Sequence, residues 1–565
     1  MAKPALLSSK QRLAAQLWRL ADLERANSSR RSFASGAYRN AVWALDHLSP
    51  DLQEDAASAR AVPGIGRTVA DMISEFRDTG QLTRLQRLEQ SLPLGAAQLS
   101  RLPCMTPTRL RRLKQDLGVE EAGDFLAAIN DGTAGEIRGV GKATLAIWKD
   151  RLLARLPEGM PIYEAERLAA KLRAHFASHL PHVEFEVVGG VRRFDEWIGQ
   201  IELLAGNDRG IEQFLAASAV VSDLKVGRDK LTLATLAGEV TVHLGKAREQ
   251  GTSLVLHTGP AEHLAALKLA GEKYGHQRWW AAPTEADFYD QVGSDVVPPP
   301  ARSGEFPLTG PLVTREHLRG DFHLHSDWSP DGRQSLQALA DGARGMGWDY
   351  FAITDHGHEL RFGGLTAPQI RQQAEVLDQL KVDNPDLVIL HGAELNISRD
   401  GELDFDDGVL AGLDFRLASI HSHFGLSQSQ QTERLIKVIA NPLVHAIGHP
   451  TGRRIGVRPP LNLDLGAVFE AASFYETALE VNGHLDRLDL SAPHARLAAQ
   501  WGVAFLANSD AHRASELANV SNAVKVLQKA GVGPRQVVNA WDLSYLLEWL
   551  VKRPRGQRLL PPAAG

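Results

Sequence analysis

Over residues 1–156 apolar positions recur at three- and four-residue steps, as in QRLAAQLWRLADL and RLQRLEQSL, which is the period of amphipathic helices. Short turns containing glycine separate these runs. From residue 157 the pattern changes: HVEFEVVGGVRR, IGQIELLAG and GEVTVHLG alternate or run apolar over the lengths of strands, with helices such as PAEHLAALKLAGEKYG between and after them. VVPPPARSGEFPLTGP, residues 296–311, is rich in proline and glycine and reads as an extended linker. Beyond it YFAIT, LVIL, FRLASI, AIGHP, ALEVN and VAFLANS read as short strands alternating with helices, the pattern of a parallel α/β barrel. The expected organisation is a multidomain chain. It has an all-α region over 1–156, an α+β region over 157–297, a linker over 298–320 and a β/α barrel over 321–565.

Within the helical region one pattern recurs. AVPGIGRTVADMISEF from Ala61 and IRGVGKATLAIWKDRL from Ile137 each place an apolar-Gly-apolar-Gly turn before a helix rich in small residues. Such a turn leaves the first N–H groups of the helix open, and with the helix dipole they form an anion site. On DNA that site holds phosphate without reading sequence. Gly64, Gly66, Arg67, Gly139, Gly141 and Lys142 are therefore the candidate DNA contacts, and the two copies resemble the helix-hairpin-helix motif. A middle copy, LPCMTPTRLRRLKQDLGV from Leu102, keeps the length and lacks both glycines.

Charge and composition sharpen the picture. Residues 1–156 carry 23 Lys and Arg against 17 Asp and Glu, so the remainder of the chain, with 39 against 51, is acidic. A mildly basic helical region suits a phosphate backbone. Thirteen of the 21 histidines follow residue 316, where an acidic and His-rich segment suggests cation binding. Cys104 is the only cysteine, which excludes a disulfide scaffold and thiolate clusters and fits a reducing cytoplasm. No apolar run approaches the length of a membrane span, and the start reads as an amphipathic helix rather than a signal peptide.

Residues 1–297, through FASGAYRNAVWAL, the hairpins, VVGGVRRFDEWIGQIELL and LVLHTGPAEHLAALKLA, resemble the family X DNA polymerases, which are polymerase beta-like. The resemblance implies a palm and thumb in which a Gly-Ser pair and an arginine hold the incoming triphosphate. Three aspartates on two strands would hold the paired Mg²⁺ ions. Here the matching positions are Gly189, Gly190 and Arg192 for the triphosphate, and Gln200, Glu202 and Thr241 for the aspartates. One anionic ligand of three remains, so the two-metal site lacks most of its charge and no polymerisation is expected. RTVADMISEF carries no lysine on the helix where some relatives form a Schiff base, so lyase activity is not expected either.

The barrel segment supplies a different set. DFHLHSDWSPDG gives His323, His325 and Asp331; ITDHGH gives His356; HGAELNI gives Glu394; ASIHSHF gives His421; AIGHPTGR gives His449; ANSDAHR gives Asp510 and His512. His323 and His325 are two apart on an extended chain and face one side, and Asp510 and His512 are spaced alike. The other residues sit at or just after predicted strand ends, which converge on one face of a barrel. Nine such groups brought together would be costly to desolvate without cations. In this order they resemble the PHP (polymerase and histidinol phosphatase) family of metal-dependent phosphoesterases. That family implies a distorted β/α barrel with up to three ions and Glu394 as a bridging carboxylate. Imidazole-rich sites with carboxylate bridges suit Mn²⁺, Zn²⁺ or Fe²⁺ better than Mg²⁺. Ions of this kind acidify water for attack on phosphorus, and Arg453 or Arg454 would clamp the phosphate through two hydrogen bonds.

The two resemblances together imply a fused arrangement acting as a 3′–5′ exonuclease or 3′-end phosphoesterase in DNA repair. Its expected form is a cytoplasmic monomer with no membrane partner, acting on gapped, nicked or 3′-recessed DNA and using Glu394 and Arg453 in catalysis. Two other readings compete. One is a DNA-binding scaffold with a vestigial metal site. The other is a small-molecule phosphatase of histidinol-phosphate type, which would have no use for the hairpins.

Overall fold

The computed structural model describes residues 7–28, 32–153, 159–273, 281–302, 310–360 and 363–551. The chain forms two compact units, one of residues 1–258 with 276–293 and one of residues 259–275 with 294–565.

The first unit begins with helices α1 (Ser9–Ala26) and α2 (Phe33–Ala44). Three hairpin helices follow: α3 (Arg67–Thr79), α4 (Pro107–Leu117) and α5 (Lys142–Leu153). The spacing of apolar residues decides their packing. In α3 Val69, Ala70, Met72, Ile73 and Phe76 form one buried stripe, and the helix stops at Gly80, which adopts φ +75°. Helix α6 (Ile162–His179) then leads into a five-stranded sheet. Its strands are β1 (Phe185–Val188), β2 (Ile201–Gly206), β3 (Val221–Val226), β4 (Lys230–Thr235) and β5 (Gly238–Gly245). They lie in the order β1-β2-β5-β4-β3. Only β2 and β5 run parallel, with Glu202 beside Thr241.

The second unit is a barrel of seven parallel strands in sequence order. They are β6 (Gly320–Asp321), β7 (Tyr350–Ile353), β8 (Val388–Asn396), β9 (Phe415–Ser419), β10 (Ala446–Gly448), β11 (Ala478–Asn482) and β12 (Phe505–Asn508). All six strands read from the sequence between residues 350 and 508 are present. The edges meet through a parallel bridge between Leu324 and Ala511, with the His325 amide donating to the Ala511 carbonyl at 2.9 Å. Near the strand beginnings Phe322, Tyr350, Phe415, Leu417 and Leu506 fill the interior, and Trp541, Leu546 and Trp549 from the C-terminal segment pack against them. That end is closed by apolar packing, which leaves the other end for polar chemistry.

The segment expected to be a linker is packed where it is described. Residues 303–309 lie outside the described residues. Before them Pro299–Ala301 forms a single 3₁₀ turn and Arg302 is fully buried, its Nε donating to the Val297 carbonyl at 2.9 Å. After them the Val313 amide donates to the Val532 carbonyl at 3.0 Å.

Candidate metal centre

The polar end of the barrel is where the strands finish. His323 and His325 flank Leu324 just past β6, and Asp331 follows on the next loop. His356 comes shortly after β7, Glu394 lies within β8, His421 is two residues past β9, and His449 directly follows β10. Asp510 and His512 follow β12. All nine residues singled out in the sequence fall into groups whose ligand atoms lie within 4.8 Å of one another. His449 and Asp510 reach their places with φ of +28° and +53°, a region that side chains other than glycine's rarely adopt, so the loops hold them there at a cost in strain.

The nine form overlapping groups around three carboxylates: His356 Nδ1 lies 2.9 Å from Glu394 Oε2, and His325 also stands with Asp331, His356 and His512. His323 Nε2 and His325 Nε2 are both 3.4 Å from Asp510 Oδ1, and lie 3.4 and 3.6 Å from Glu394 Oε2. The other oxygen of Glu394 faces His449 Nε2 at 3.0 Å and His421 Nε2 at 3.2 Å. Asp331 Oδ2 faces His356 Nε2 at 3.4 Å and His512 Nε2 at 3.3 Å. Asp510 and His512, spaced alike in sequence, thus serve different groups. Ligands about 2.0–2.1 Å from a tetrahedral ion stand roughly 3.3 Å apart, close to these separations. His323 Nε2, both ring nitrogens of His325, and Asp331 Oδ1 are buried with no hydrogen-bond partner among the described residues. Such orphaned atoms are costly unless a cation completes them, so the residues fit divalent ions.

A ring of buried groups fixes the rotamers. His323 Nδ1 lies 2.7 Å from Glu480 Oε1, while Glu480 Oε2 accepts the His449 amide at 2.6 Å. Asn508 and Asn482 donate to Glu480 at 2.9 and 3.1 Å, and Asn482 also donates to Asp510 Oδ2 at 3.0 Å. His421 Nδ1 lies 2.7 Å from Asn396 Oδ1, and Asn396 donates to Asp404 at 2.8 Å. These contacts aim each Nε2 inward, as the partners of metal-binding histidines do. None of Glu480, Asn482, Asn396 or Asn508 was singled out in the sequence. The available signal was an acid and an amide two apart in the apolar strand ALEVN.

Electrostatics shows which species the site favours. Burial raises the cost of charge on Glu394, but His421, His323 and His356 outweigh it and hold its carboxyl well below the usual range. Asp510 is held down likewise, with His323 and His325 prevailing over burial. Burial pushes His325 down to about 3 and His449 down to about 4. Against burial, Glu394 and Asp331 push His356 up to about 10. Anionic carboxylates and neutral imidazoles are the forms that ligate ions. Against burial, Glu480, Asp510 and Glu394 hold His323 well above the usual histidine range, and Asp331 and Asp510 raise His512; in these raised histidines a proton stands in for a cation.

The arginines differ from expectation. Arg453 is buried, with Nε donating to the Arg487 carbonyl at 2.9 Å and a second guanidinium nitrogen donating to the Leu488 carbonyl at 2.5 Å. Arg454 is paired with Asp486, its Nε at 2.9 Å. Neither is arranged as the phosphate clamp expected of it. Arg453 instead braces the loop carrying Arg487, whose Nε is 3.3 Å from Asp510 Oδ2 and whose side chain is 21 % exposed. Arg487 is the cation beside the cluster, and nothing in its local sequence marked it.

The first unit shows how the glycine turns work. Gly64 and Gly139 adopt φ of +96° and +82°, and Gly66 caps α3 with no side chain over the helix start. Arg67 and Lys142 open α3 and α5, and Gly141 accepts the Leu145 amide at 3.1 Å. The middle copy keeps the same turn: Cys104 adopts φ +60°, and the Met105 amide donates to the Leu102 carbonyl at 3.0 Å as Ile65 does to Val62 at 3.1 Å. There Thr106 accepts the Arg109 amide at 3.3 Å and so occupies the helix start itself.

The polymerase-like positions are satisfied internally. Glu202 Oε2 lies 3.0 Å from His243 Nε2, whose ring stacks on His257 at 3.8 Å. Gly189 packs on Glu202, and a Cβ on Gly190 would stand 3.1 Å from Asp195 Oδ2. Arg192 grips Glu285 through two bonds of 2.8 and 2.7 Å. Thr241 is buried and Gln200 precedes β2. Among the described residues no group of metal-ligating side chains forms there.

Comparison with known proteins agrees with this division. A helix-hairpin-helix domain family model matches residues 8–82 and a PHP domain model matches residues 321–509. The chain is similar to the DNA polymerase/3'-5' exonuclease PolX of Bacillus subtilis (strain 168), 30 % identical over 541 residues covering 90 % of this chain and 94 % of that protein. Over 228 residues the chain is also similar to a "Probable phosphatase" of Syntrophotalea carbinolica, 31 % identical over 39 % of this chain and 90 % of that protein. It is also similar to the "Probable phosphatase YcdX" of Escherichia coli O1:K1 / APEC, 29 % identical over 39 % and 89 %.

Proposed function

The chain belongs to the PolX family of DNA polymerase/3'-5' exonucleases, and from that premise we propose that it hydrolyses phosphodiesters at DNA 3′ ends in repair, using the barrel site, and does not polymerise. The observation that carries the reading is the contrast between its two candidate sites. Nine ligand side chains converge in the barrel with orphaned nitrogens facing carboxylates. In the first unit Glu202 is already engaged by His243, and Arg192 is paired with Glu285.

His323, His325, Glu394 and Asp510 would hold one ion, Glu394, His421 and His449 a second, and Asp331, His356 and His512 a third, with manganese, zinc or iron(II) suited to the donors. Bound there, the ions would supply Lewis-acid charge against the phosphate oxygens and a source of hydroxide at neutral pH. The protein's own residues do the positioning. Glu394 ties two groups together, and Glu480 and Asn396 fix the imidazoles. Arg487, anchored on Asp510, offers its guanidinium to a phosphate oxygen. The hairpin turns at Gly64–Arg67 and Gly139–Lys142 would hold the DNA backbone, whether gapped, nicked or recessed.

The relatives named as probable phosphatases match about two fifths of the chain yet about nine tenths of their own length, which favours a second reading, a phosphatase of small phosphate monoesters. One assay separates them. A recessed 3′-labelled duplex should lose mononucleotides on addition of manganese, the release should vanish in His323→Ala and in chelator, and no nucleotide should be incorporated opposite a template. Monoester hydrolysis without mononucleotide release would favour the second reading. Template-directed incorporation abolished by Glu202→Ala would overturn the loss of synthesis.

A further inference from the structure

A cavity of about 640 Å³ opens in the first unit between α1, α2, α6 and the turn joining β4 to β5. Two tryptophans, Trp18 and Trp43, line it together with Arg25, Arg39, Arg167 and Lys171. Counting Arg101, five cations stand against two carboxylates, Asp22 and Glu164. The carboxylates do not neutralise the set: Asp22 pairs with Arg39 and Glu164 lies 3.9 Å from Arg101. Arg25, Arg167 and Lys171 have no carboxylate partner among the described residues, and Nε of Arg39 is buried without a hydrogen bond.

The cations are placed against the rings. The Arg39 guanidinium lies 4.9 Å from the centre of Trp18, and Lys171 Nζ lies 5.1 Å from the centre of Trp43 while donating to Asn40 Oδ1 at 2.8 Å. Burial, then Arg167 and Arg39, push the Lys171 ammonium down to about 8, as expected of cations crowded without a counterion. Phe33, two residues before the lining Ser35 on α2, is 96 % exposed. Aromatic faces interleaved with cations recognise a base and its phosphate together. A concavity of this size falls among small-ligand sites of roughly 300–1,000 Å³. Stacking on an aromatic face requires a base outside the duplex stack, which makes an unpaired strand the fitting occupant.

We propose that this cavity binds the unpaired nucleotides of a single DNA strand, stacking bases on Trp18 and seating phosphates on Arg25, Arg167 and Lys171. The proposal rests on DNA being the partner of the chain, and goes beyond it by naming a site apart from the hairpin turns and an unpaired strand as the occupant.

The test uses the full chain in chelator, where hydrolysis cannot interfere. Binding of a fluorescein-labelled oligothymidylate is followed by anisotropy across a salt series, beside a blunt duplex of equal length. The double variant Arg25→Glu, Arg167→Glu should bind the oligothymidylate at least tenfold more weakly and lower the salt slope by about 1.4, while duplex binding changes less than threefold. Trp18→Leu should weaken single-strand binding with the salt slope unchanged. Hydrolysis of bis(p-nitrophenyl) phosphate with manganese should be equal in all variants, which certifies the fold and the barrel site. Unchanged single-strand affinity, or equal loss for duplex and single strand, would overturn the proposal. Competition by thymidine monophosphate as strong per nucleotide as by the oligomer would replace it with a free-nucleotide site. Wild-type chain that binds neither DNA would instead remove the premise that DNA is the partner.

Discussion

Arg487 is the residue whose assignment depends most on the fold. Its Nε rests 3.3 Å from Asp510, and that carboxylate is also the partner of His323 and His325. A guanidinium anchored this way faces the cluster with its remaining donors partly exposed. Removing one positioned donor to a developing oxyanion costs about 10²-fold in kcat or more. Arg487→Ala should therefore lower kcat on a recessed 3′ end by about that factor, with bound metal per chain unchanged by elemental analysis; lost metal with unchanged kcat per loaded site would refute the role. Arg487→Lys keeps charge but not the forked geometry and should recover only part of the rate. The nine candidate ligands were legible in the sequence because most lie in or just after the end of a short apolar strand, where chemistry on a barrel gathers. Arg487 and Glu480 were not, since their roles depend on which ligand they face across the barrel. Arg453 was misread for the same reason. Its proximity to His449 in sequence gave no sign that its guanidinium turns under the loop to the carbonyls of Arg487 and Leu488.

At the scale of elements, the hairpins separate backbone geometry from ligand access. Gly64 carries φ +96°, and a Cβ there would stand 3.3 Å from the Cβ of Ala44. Gly66 is extended at φ −82° and has open space where a Cβ would point. Gly64→Ala should lower the unfolding free energy of the first unit by about 1–2 kcal/mol. Gly66→Ala should change it by less than about 0.5 kcal/mol yet weaken duplex binding several-fold, because a methyl group would stand between phosphate and the first amides of α3. Urea denaturation and anisotropy on the same two variants decide this, and equal effects on both measurements would show the turn to be merely structural. The middle hairpin explains why loss of its glycines did not mean loss of the motif. Cys104 accepts the left-handed backbone, and Thr106 fills with its own hydroxyl the helix start that the glycine copies leave open. Sequence shows the missing glycines but not the retained turn. A single left-handed residue costs roughly 1–2 kcal/mol, which the surrounding helices can absorb.

At the scale of the molecule, two units with separate cores imply that metal binding should be felt by one of them. Only the second unit contains groups of ligands close enough to hold an ion among the described residues. Calorimetry should resolve two transitions, with manganese raising only that of the barrel, by about 2.7 kcal/mol at a hundredfold excess over Kd. The pH dependence of that increment follows from His356. Glu394 and Asp331 prevail over burial and push it up to about 10, above the usual histidine value near 6.5. Without an ion, its protonated contacts stabilise the fold fully below about pH 6.5, and that contribution is lost as pH rises through about 10. A bound ion takes the place of the proton. Each proton so displaced makes the apparent metal affinity climb about tenfold per pH unit within this window. The increment from manganese at fixed concentration should therefore grow between pH 6.5 and 8, by about 1.4 kcal/mol per unit for each proton displaced. Titration calorimetry in buffers of different ionisation enthalpy should show the matching proton release. An increment that stays flat would mean that the ion binds without displacing the His356 proton, and one that survives in His323→Ala would place the ion away from this cluster; the absence of any increment would mean that the nine residues hold protons in preference to an ion, and the hydrolytic reading of the barrel would fail with it.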